Sequence, residues 1–290
     1  MQTPRQPLLI VAASALSFAV MAFAAKLASR SIPGDELAFL RFVLMLVPFA
    51  LSRRLRRRAL RVERWDLLAY RGVFGGTAVV LYFLAIEHVP IGIATLLNYS
   101  SPVWAVMFAA AFLGERAPAR LLAPGLLALA GMVLVTGVVG QTGSLRIGLW
   151  EAVGLLSSVL SGAAVTAIRA ARRTEGSWAI YGSFSLCGLV VAAPYALSHF
   201  RWPHGSGWLL VVAVGVTSVA AQLLMTYAYR WVTNLQAGVL AQLTVVVSMA
   251  LGAIFLGERL SPLQLAGAAL AISGILGVVA LRPPPRAAVE

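Results

Sequence analysis

The sequence predicts an all-α membrane protein with ten transmembrane helices arranged as two inverted five-helix repeats. Three observations support this fold class: a very apolar composition, basic residues concentrated in alternate loops, and a similarity between the two halves of the chain. Of the 290 residues, 60% are hydrophobic and 11% are charged, whereas roughly a quarter of a typical soluble domain is charged. A soluble fold could not bury this much apolar surface, so we expect lipid to surround the protein.

Ten apolar stretches are long enough to cross the bilayer, whose hydrocarbon core of ~30 Å requires ~20 residues of helix. The predicted spans are Leu8–Leu27, Glu36–Leu51, Leu67–Ile86, Ile91–Leu113, Leu121–Val139, Ile147–Ala167, Trp178–Leu197, Gly207–Ala228, Leu235–Leu256 and Leu263–Leu281. Very short turns separate some neighbours, such as the third and fourth spans, so nine spans is the alternative count.

The basic residues favour one side of the membrane. If the N-terminus is cytoplasmic, sixteen lysines and arginines fall in cytoplasmic segments, seven of them within the loop Arg53–Arg64, and five fall outside. This positive-inside bias predicts a multi-pass protein of the bacterial inner (plasma) membrane with both termini in the cytoplasm. Although the net charge is +13, no stacking aromatics are interleaved with the basic residues. We therefore expect a lipid bilayer and no nucleic acid as the partner.

Residues that usually carry catalysis or bind metals are sparse and scattered. Cys187 is the only cysteine, and no Cys-x-x-Cys or Cys/His cluster exists. The three histidines, His88, His199 and His204, fall at span ends or in outer loops, and no pair of carboxylates or His-x-x-x-Asp element accompanies them. The sequence therefore predicts no metal, no cofactor and no enzyme active site.

The two halves of the chain match in a register of 143 residues without gaps. Leu113–Arg116 reads Leu-Gly-Glu-Arg and recurs as Leu256–Arg259, and Ser14 matches Ser157. We therefore divide the chain into two repeats, residues 1–144 and 145–290. Each repeat holds five spans, so the second enters the membrane from the opposite side, a common plan among secondary transporters.

The repeated motif resembles a known family. An Ala-rich helix, a proline, an apolar stretch, Leu-Gly-Glu and a glycine-containing helix follow one another in the first half. The positions are Ala94–Leu97, Pro102, Leu113–Arg116 and Gly131, and in the second half Ala237–Leu240, Leu256–Arg259 and Gly274, with Val245 at the proline position. This pattern resembles the EamA branch of the drug/metabolite transporter superfamily. The resemblance implies a transporter, and bacterial amino-acid exporters are the most similar members in size and pattern.

The fourth span contains the most polar run inside the predicted membrane region. Asn98, Tyr99, Ser101 and Trp104 surround Pro102, which cannot donate a hydrogen bond to the carbonyl of the residue four earlier. Such a kink is tolerated at membrane depth where water or substrate reaches the backbone. We therefore expect a hinge at Pro102 and a substrate cavity beside it. The alternative is a purely structural kink, with Asn98 bonded to a neighbouring helix.

Further polar side chains on other spans extend this predicted site. They are Tyr82 on the third span, Gln222, Thr226 and Tyr229 near the end of the eighth, and Gln242 on the ninth, which aligns with Tyr99 in the repeat register. Amides and hydroxyls could bind the polar ends of a substrate while aromatic rings flank its body. The alternative for each of them is hydrogen bonding between helices.

Charged residues near the span ends are predicted to serve structure. We expect Arg41 to extend its charge to the interface, with binding of a substrate carboxylate as the alternative, and Lys26 to be an interfacial anchor. Glu115 and Glu258 belong to the repeated motif and are expected to support helix ends. Because no acidic residue lies near the middle of a span, facilitated diffusion fits better than proton coupling.

The predicted function is export of small polar metabolites by alternating access through a cavity between the repeats. Neutral or aromatic amino acids are the expected substrates, because the predicted cavity offers Tyr, Trp and amide groups and no deep charge. The alternatives are transport of an organic cation or a nucleotide-type metabolite, or a lipid flippase or scaffold. We expect the protein to act as a monomer.

Overall fold

The computed structural model describes residues 5–113, 122–135, 148–171, 174–228 and 234–280, and these contain helices and no strand. The twelve helices of this part of the chain are α1 (Arg5–Ala28), α2 (Gly34–Leu51), α3 (Arg53–Ala59), α4 (Trp65–His88), α5 (Ile91–Asn98), α6 (Ser101–Leu113), α7 (Leu122–Val135), α8 (Leu149–Ala171), α9 (Ser177–Ser198), α10 (Gly207–Ala228), α11 (Asn234–Phe255) and α12 (Pro262–Ala280).

Two features of this arrangement differ from ten simple spans. The basic loop forms the short helix α3, whose first turn is capped by the Ser52 hydroxyl accepting from the Leu55 N–H at 3.4 Å. The predicted span Ile91–Leu113 is divided into α5 and α6. Each of the other predicted spans corresponds to one helix.

The exposed surface of the helices is largely apolar, as expected for contact with lipid. Within the described residues, five helical segments are long and apolar enough to cross a membrane: Leu9–Ala28, Trp65–His88, Leu149–Ile168, Ser177–Ser198 and Gly207–Met225. Helix α2 has 18 residues but carries Asp35, Glu36 and Arg41. Large apolar side chains point outward, including Leu209 at 73% exposure and Ile254 at 72%. Surface of this kind is stable against hydrocarbon rather than water, so the chain is a multi-pass membrane protein whose described part is helical.

Helices of one half pack mainly against helices of the other. Helix α1 packs on α10 and α4 packs on α8. The Ser14 hydroxyl donates to the Ala221 carbonyl at 2.8 Å, and the Ser157 hydroxyl donates to the Ala78 carbonyl at 2.7 Å. Both the donors and the acceptors are 143 residues apart. The same interhelical hydrogen bond therefore occurs twice, once at each of two equivalent contacts.

A second contact between the halves is also duplicated. Helix α7 packs closely on α12. A Cβ on Gly131 would overlap the backbone of Ala271, and one on Gly274 would overlap the backbone of Ala128. Gly131 and Gly274 are equivalent in the 143-residue register, as are Ala128 and Ala271. Because the later residue of one helix meets the earlier residue of the other, α7 and α12 run antiparallel at this contact.

Between these contacts, α2 packs against α4, α9 and α10. The rings of Phe42 on α2 and Phe184 on α9 meet edge to face with centroids 5.5 Å apart. Tyr181 continues this cluster, and its hydroxyl donates to the Met45 carbonyl at 2.9 Å. Aromatic side chains therefore surround the buried middle of α2, where the charged residue Arg41 lies.

We predict that Gly131→Ala destabilises the folded protein, because its new methyl group meets the backbone of Ala271 and the helices must separate. Overpacking of this kind costs about 1–3 kcal/mol. Gly125→Ala is the matched control, since it lies on the same helix with nothing near its Cβ position. The thermal midpoint of purified protein in detergent should fall for Gly131→Ala alone; equal midpoints would contradict the close contact.

Candidate functional site

The polar fourth span is interrupted where Pro102 follows the end of α5. Helix α5 ends at Asn98 and α6 begins at Ser101. The Leu97 carbonyl accepts from both the N–H and the hydroxyl of Ser100, at 3.2 and 2.6 Å. The Ser100 N–H thus bonds three residues back, instead of four residues back as in an α-helix. Pro102 lies in the first turn of α6, where its missing N–H costs nothing. The predicted kink is thus a complete break between two helices.

The break is bonded to α8. The Asn98 amide donates to the Ser157 hydroxyl at 2.7 Å and to the Ser161 hydroxyl at 3.4 Å, and the hydroxyls of Ser100 and Ser158 are 2.6 Å apart. Ser157 and Ser158 are fully buried. These bonds correspond to the structural alternative for Asn98, and they join the break to the partner helix from the other half.

Close packing of α6 on α8 places two further predicted residues. Gly162 on α8 lies against the Cβ of Trp104 and the main-chain carbonyl of Ser101. The indole N–H of Trp104 is buried without a hydrogen-bond partner among the described residues. A buried donor of this kind costs free energy unless water or a ligand accepts from it.

Tyr82 on α4 lies beside α5. Its ring is 4% exposed, and its hydroxyl lies 3.0 Å from the hydroxyl of Thr95. Tyr99, at the break itself, is half-buried. Tyr82 therefore has a partner within the protein, like Asn98.

The two glutamines of the predicted site, Gln222 and Gln242, are buried. Gln242 on α11 is 4% exposed, and neither its amide nitrogen nor its oxygen has a partner among the described residues. Gln222 on α10 is 6% exposed. The backbone of Thr226 belongs to α10, whereas its side chain and the whole of Tyr229 lie outside the described residues. Both side-chain polar atoms of Gln242 thus have unmet hydrogen-bonding capacity.

The prediction that Arg41 extends to the interface is wrong. Its side chain is 2% exposed, its Nε donates to the Ser218 hydroxyl at 2.8 Å, and Nη1 is buried without a partner in the described part of the chain. The guanidinium carbon also lies 5.8 Å from the centroid of the Phe83 ring, which is itself 6.1 Å from the ring of Tyr82. Arg41 cannot reach the interface because α9 and α10 pack over this part of α2.

A second buried arginine, Arg71, has no role in the site predicted from the sequence. Arg71 on α4 is 6% exposed, and its guanidinium carbon lies 4.2 Å from the centroid of the Phe184 ring. Its Nη1 occupies the position that a Cβ on Gly75 would take. An arginine inside an apolar stretch, with glycines one turn later, is the sequence signal that could have revealed it. The expected absence of deep charge is therefore wrong.

The remaining predicted charged residues satisfy helix ends. The Lys26 ammonium donates to the carbonyls of Ile86, Glu87 and Val89 at 2.7, 3.2 and 2.9 Å, which caps the C-terminus of α4. The Glu258 carboxylate accepts from the Ile91 N–H at 2.9 and 3.0 Å, at the start of α5. Glu258 thus has the predicted role at a helix end. Glu115 lies outside the described residues.

The buried acids of α2 also lie at a helix end. Asp35 is 2% exposed and its carboxylate is 3.1 Å from the His199 ring, while Glu36 accepts from the Arg201 N–H at 3.3 Å. Both lie in the first turn of α2, where negative charge is favourable. Neither forms an ion pair with Arg41.

The sequence matches the model of a known protein family over most of its length. The sequence model of the EamA-like transporter family matches this chain twice, over residues 6–137 and 148–280. The chain belongs to this family. The resemblance inferred from the repeated Leu-Gly-Glu motif is thereby confirmed. The division at residues 1–144 and 145–290 stays a prediction.

Individual EamA relatives are similar over most of their length. The pseudopaline exporter CntI of Pseudomonas aeruginosa (strain UCBPP-PA14) is 29% identical over 265 residues, covering 91% of this chain and 92% of the exporter. An uncharacterized transporter of Helicobacter pylori (strain J99) is 25% identical over 246 residues, covering 81% and 79%. One solved crystal structure, 25% identical, matches with a TM-score of 0.62 over 96% of this chain and 97% of that one.

Membership of the EamA-like family identifies the protein as a transporter of a small molecule and not as an enzyme. Together with the apolar helices, it places the protein in the inner membrane as a multi-pass protein. Among the described residues, no group of three or more His, Cys, Asp or Glu side chains could hold a metal ion. The polar and charged groups around the α5–α6 break are therefore the candidate substrate site.

Proposed function

We propose that this EamA-like protein exports small polar metabolites of the amino-acid class by alternating access. The observation that carries the proposal is the interrupted helix at Asn98–Ser101. Irregular backbone within a membrane protein is tolerated where it is buried in protein or lines a cavity. The break lies beside buried amide, hydroxyl and indole groups, some of which have no partner among the described residues.

The proposed transport path runs between the halves 1–144 and 145–290, each with five spans in opposite orientation. Duplicated contacts support this plan. The hydrogen bonds of Ser14 and Ser157 are equivalent, and α7 and α12 cross antiparallel through equivalent glycines. An inverted repeat would give both features, because a pseudo-two-fold axis relates each contact to its counterpart.

The proposed substrate-lining residues come from both halves. They are Tyr82, Asn98, Tyr99, Ser101, Trp104, Gln222, Thr226, Tyr229 and Gln242, with Pro102 as the hinge. Amides and hydroxyls suit the amino and carboxylate groups of an amino acid, and the aromatic rings suit an apolar side chain. The alternative of an organic cation is disfavoured, because Arg41 and Arg71 place positive charge in the same core.

Uptake into proteoliposomes tests the substrate class. Labelled amino acids should enter liposomes that contain the purified protein and should not enter protein-free liposomes. Nucleosides, a choline-like cation and a fluorescent lipid in the same assay represent the other classes. Transport of the cation or the nucleoside alone, or movement of the lipid alone, would contradict the amino-acid proposal.

Reporter fusions test the proposed orientation. We expect a fusion after Arg58, in the basic helix α3, and a fusion at the C-terminus to report the cytoplasm, because basic segments are retained on that side. A fusion in the segment 200–206, between α9 and α10, is the opposite control and should report the periplasm. A periplasmic signal at either of the first two positions would contradict ten spans with both termini inside.

The hinge is tested by Pro102→Ala. This change supplies an N–H that can bond to Asn98 and favours one continuous helix, so turnover should fall by at least about tenfold if bending limits the rate. Pro194→Ala is the matched control, since Pro194 is exposed and also lies inside a helix, α9. Wild-type turnover in Pro102→Ala protein that elutes as a single species would leave Pro102 as a structural residue only.

Gln242 offers a contrasting variant. Because its proposed role is contact with substrate, Gln242→Ala should raise the apparent KM and leave the maximal rate nearly unchanged. Val246→Ala, on an exposed position of the same helix, is the control. A fall in maximal rate with an unchanged KM would instead assign Gln242 to the conformational change.

A further inference from the structure

Two buried arginines share one aromatic surface near the proposed site. The guanidinium carbon of Arg71 is 4.2 Å from the centroid of the Phe184 ring, and that of Arg41 is 5.8 Å from the same centroid. Arg41 is also 5.1 Å from the Phe42 ring and 5.8 Å from the Phe83 ring. Because both lie beside the same ring, the two guanidinium carbons are at most about 10 Å apart. One positively charged region thus lies inside the protein.

This region has unused donors and lacks a counter-ion among the described residues. Nη1 of Arg41 and Nε of Arg71 are buried and have no hydrogen-bond partner there. None of the ion pairs within 4.0 Å includes either arginine. Buried charges are normally paired, because removal from water is costly unless an opposite charge compensates. An anion from outside the chain would supply that compensation.

The arginines are not part of the duplicated framework. In the 143-residue register Arg41 corresponds to Phe184, and Arg71 corresponds to Val214. Some contacts between the halves, such as those of Ser14 and Ser157, occur in both halves. Neither arginine has a charged counterpart in the other half, so the positively charged region is not duplicated.

The two charges also lie at different depths. Arg41 follows Gly34 by seven residues and Arg71 follows Trp65 by six, which places them about 10 and 9 Å along their helices at 1.5 Å per residue. Helices α2 and α4 cross in opposite directions in the proposed topology. Arg71 is therefore nearer the cytoplasmic side and Arg41 nearer the periplasmic side, in the order that an exported anion would meet them.

We propose that Arg41 and Arg71 bind carboxylate groups of the transported metabolite, so that the preferred substrate carries a carboxylate in addition to that of a neutral amino acid. This inference rests on the proposed function and narrows its substrate class. A guanidinium group binds a carboxylate through two parallel hydrogen bonds. Phe42, Phe83 and Phe184 provide the apolar surroundings in which such pairing is strong. Arg41 lies near the candidate site, because the Phe83 ring beside its guanidinium is also 6.1 Å from the ring of Tyr82.

Glutamate and glutamine provide a matched pair of ligands, since they have nearly the same shape and differ by one carboxylate. We expect glutamate and succinate to raise the thermal midpoint of the purified wild-type protein in detergent more than glutamine does, at equal ionic strength. Arg41→Gln and Arg71→Gln should each weaken the apparent affinity for glutamate by at least about tenfold. Arg57→Gln, on the exposed helix α3, removes the same charge elsewhere and should change nothing.

Milder variants cover the case in which a neutral substitution fails to fold. Arg41→Lys and Arg71→Lys keep the charge and lose the two-pronged geometry, so glutamate binding should weaken while the protein stays folded. Gly75→Ala displaces the Arg71 guanidinium, whose Nη1 occupies the place of the new methyl group. Equal stabilisation by glutamate and glutamine in the wild-type protein, or an unchanged difference between them in folded variants, would overturn the proposal.

The transport assay separates this inference from the proposed function. If neutral amino acids are transported equally well by the wild type and by both arginine variants, the transporter proposal stands and the carboxylate site is wrong. If glutamate binding depends on the arginines but no amino acid is transported, the site stands and the proposed function is wrong. Arginine-dependent stabilisation by phosphatidylglycerol, without any by carboxylates, would assign the site to lipid and overturn the inference.

Discussion

The absence of water from the bilayer interior is the constraint on which the structure of this EamA-like protein depends. Every polar group that enters hydrocarbon needs a partner within the protein. Lys26 supplies one for the C-terminal carbonyls of α4, and Glu258 supplies one for the first N–H of α5. Ser14 and Ser157 pair with main-chain carbonyls of neighbouring helices. Polar side chains therefore connect helices that apolar packing alone would not distinguish.

Because the constraint is met at most positions, the exceptions are informative. The buried atoms without partners in the described residues include the amide of Gln242, the indole N–H of Trp104 and single nitrogens of Arg41 and Arg71. Three of these residues lie on helices α2, α4 and α6 of the first half, and Gln242 lies on α11 of the second. Buried polar groups of this kind are candidates for contact with a substrate, which can supply the missing hydrogen bonds.

The sequence predicted the framework well because its signals are local or repeated. Apolar length gave helices close to the observed ones, and Pro102 marked the break between α5 and α6. Burial of a charge depends instead on which helices pack over it. Arg41 lies close enough to the end of its span to reach the interface, and only the packing of α9 and α10 prevents this. Arg71 likewise became informative only when Phe184, far away in the sequence, was placed beside it.

Comparison of the two halves separates structural residues from candidate functional ones. Gly131 and Gly274 make equivalent contacts in α7 and α12, which both halves need in order to pack. Pro102 corresponds to Val245 and Arg41 to Phe184, so the break and the buried charge exist once. In the proposed mechanism the duplicated framework opens on either side of the membrane, and the single region of positive charge binds the anionic group of the substrate. Positions at which the two repeats carry different residues are therefore the ones expected to determine substrate specificity in this protein.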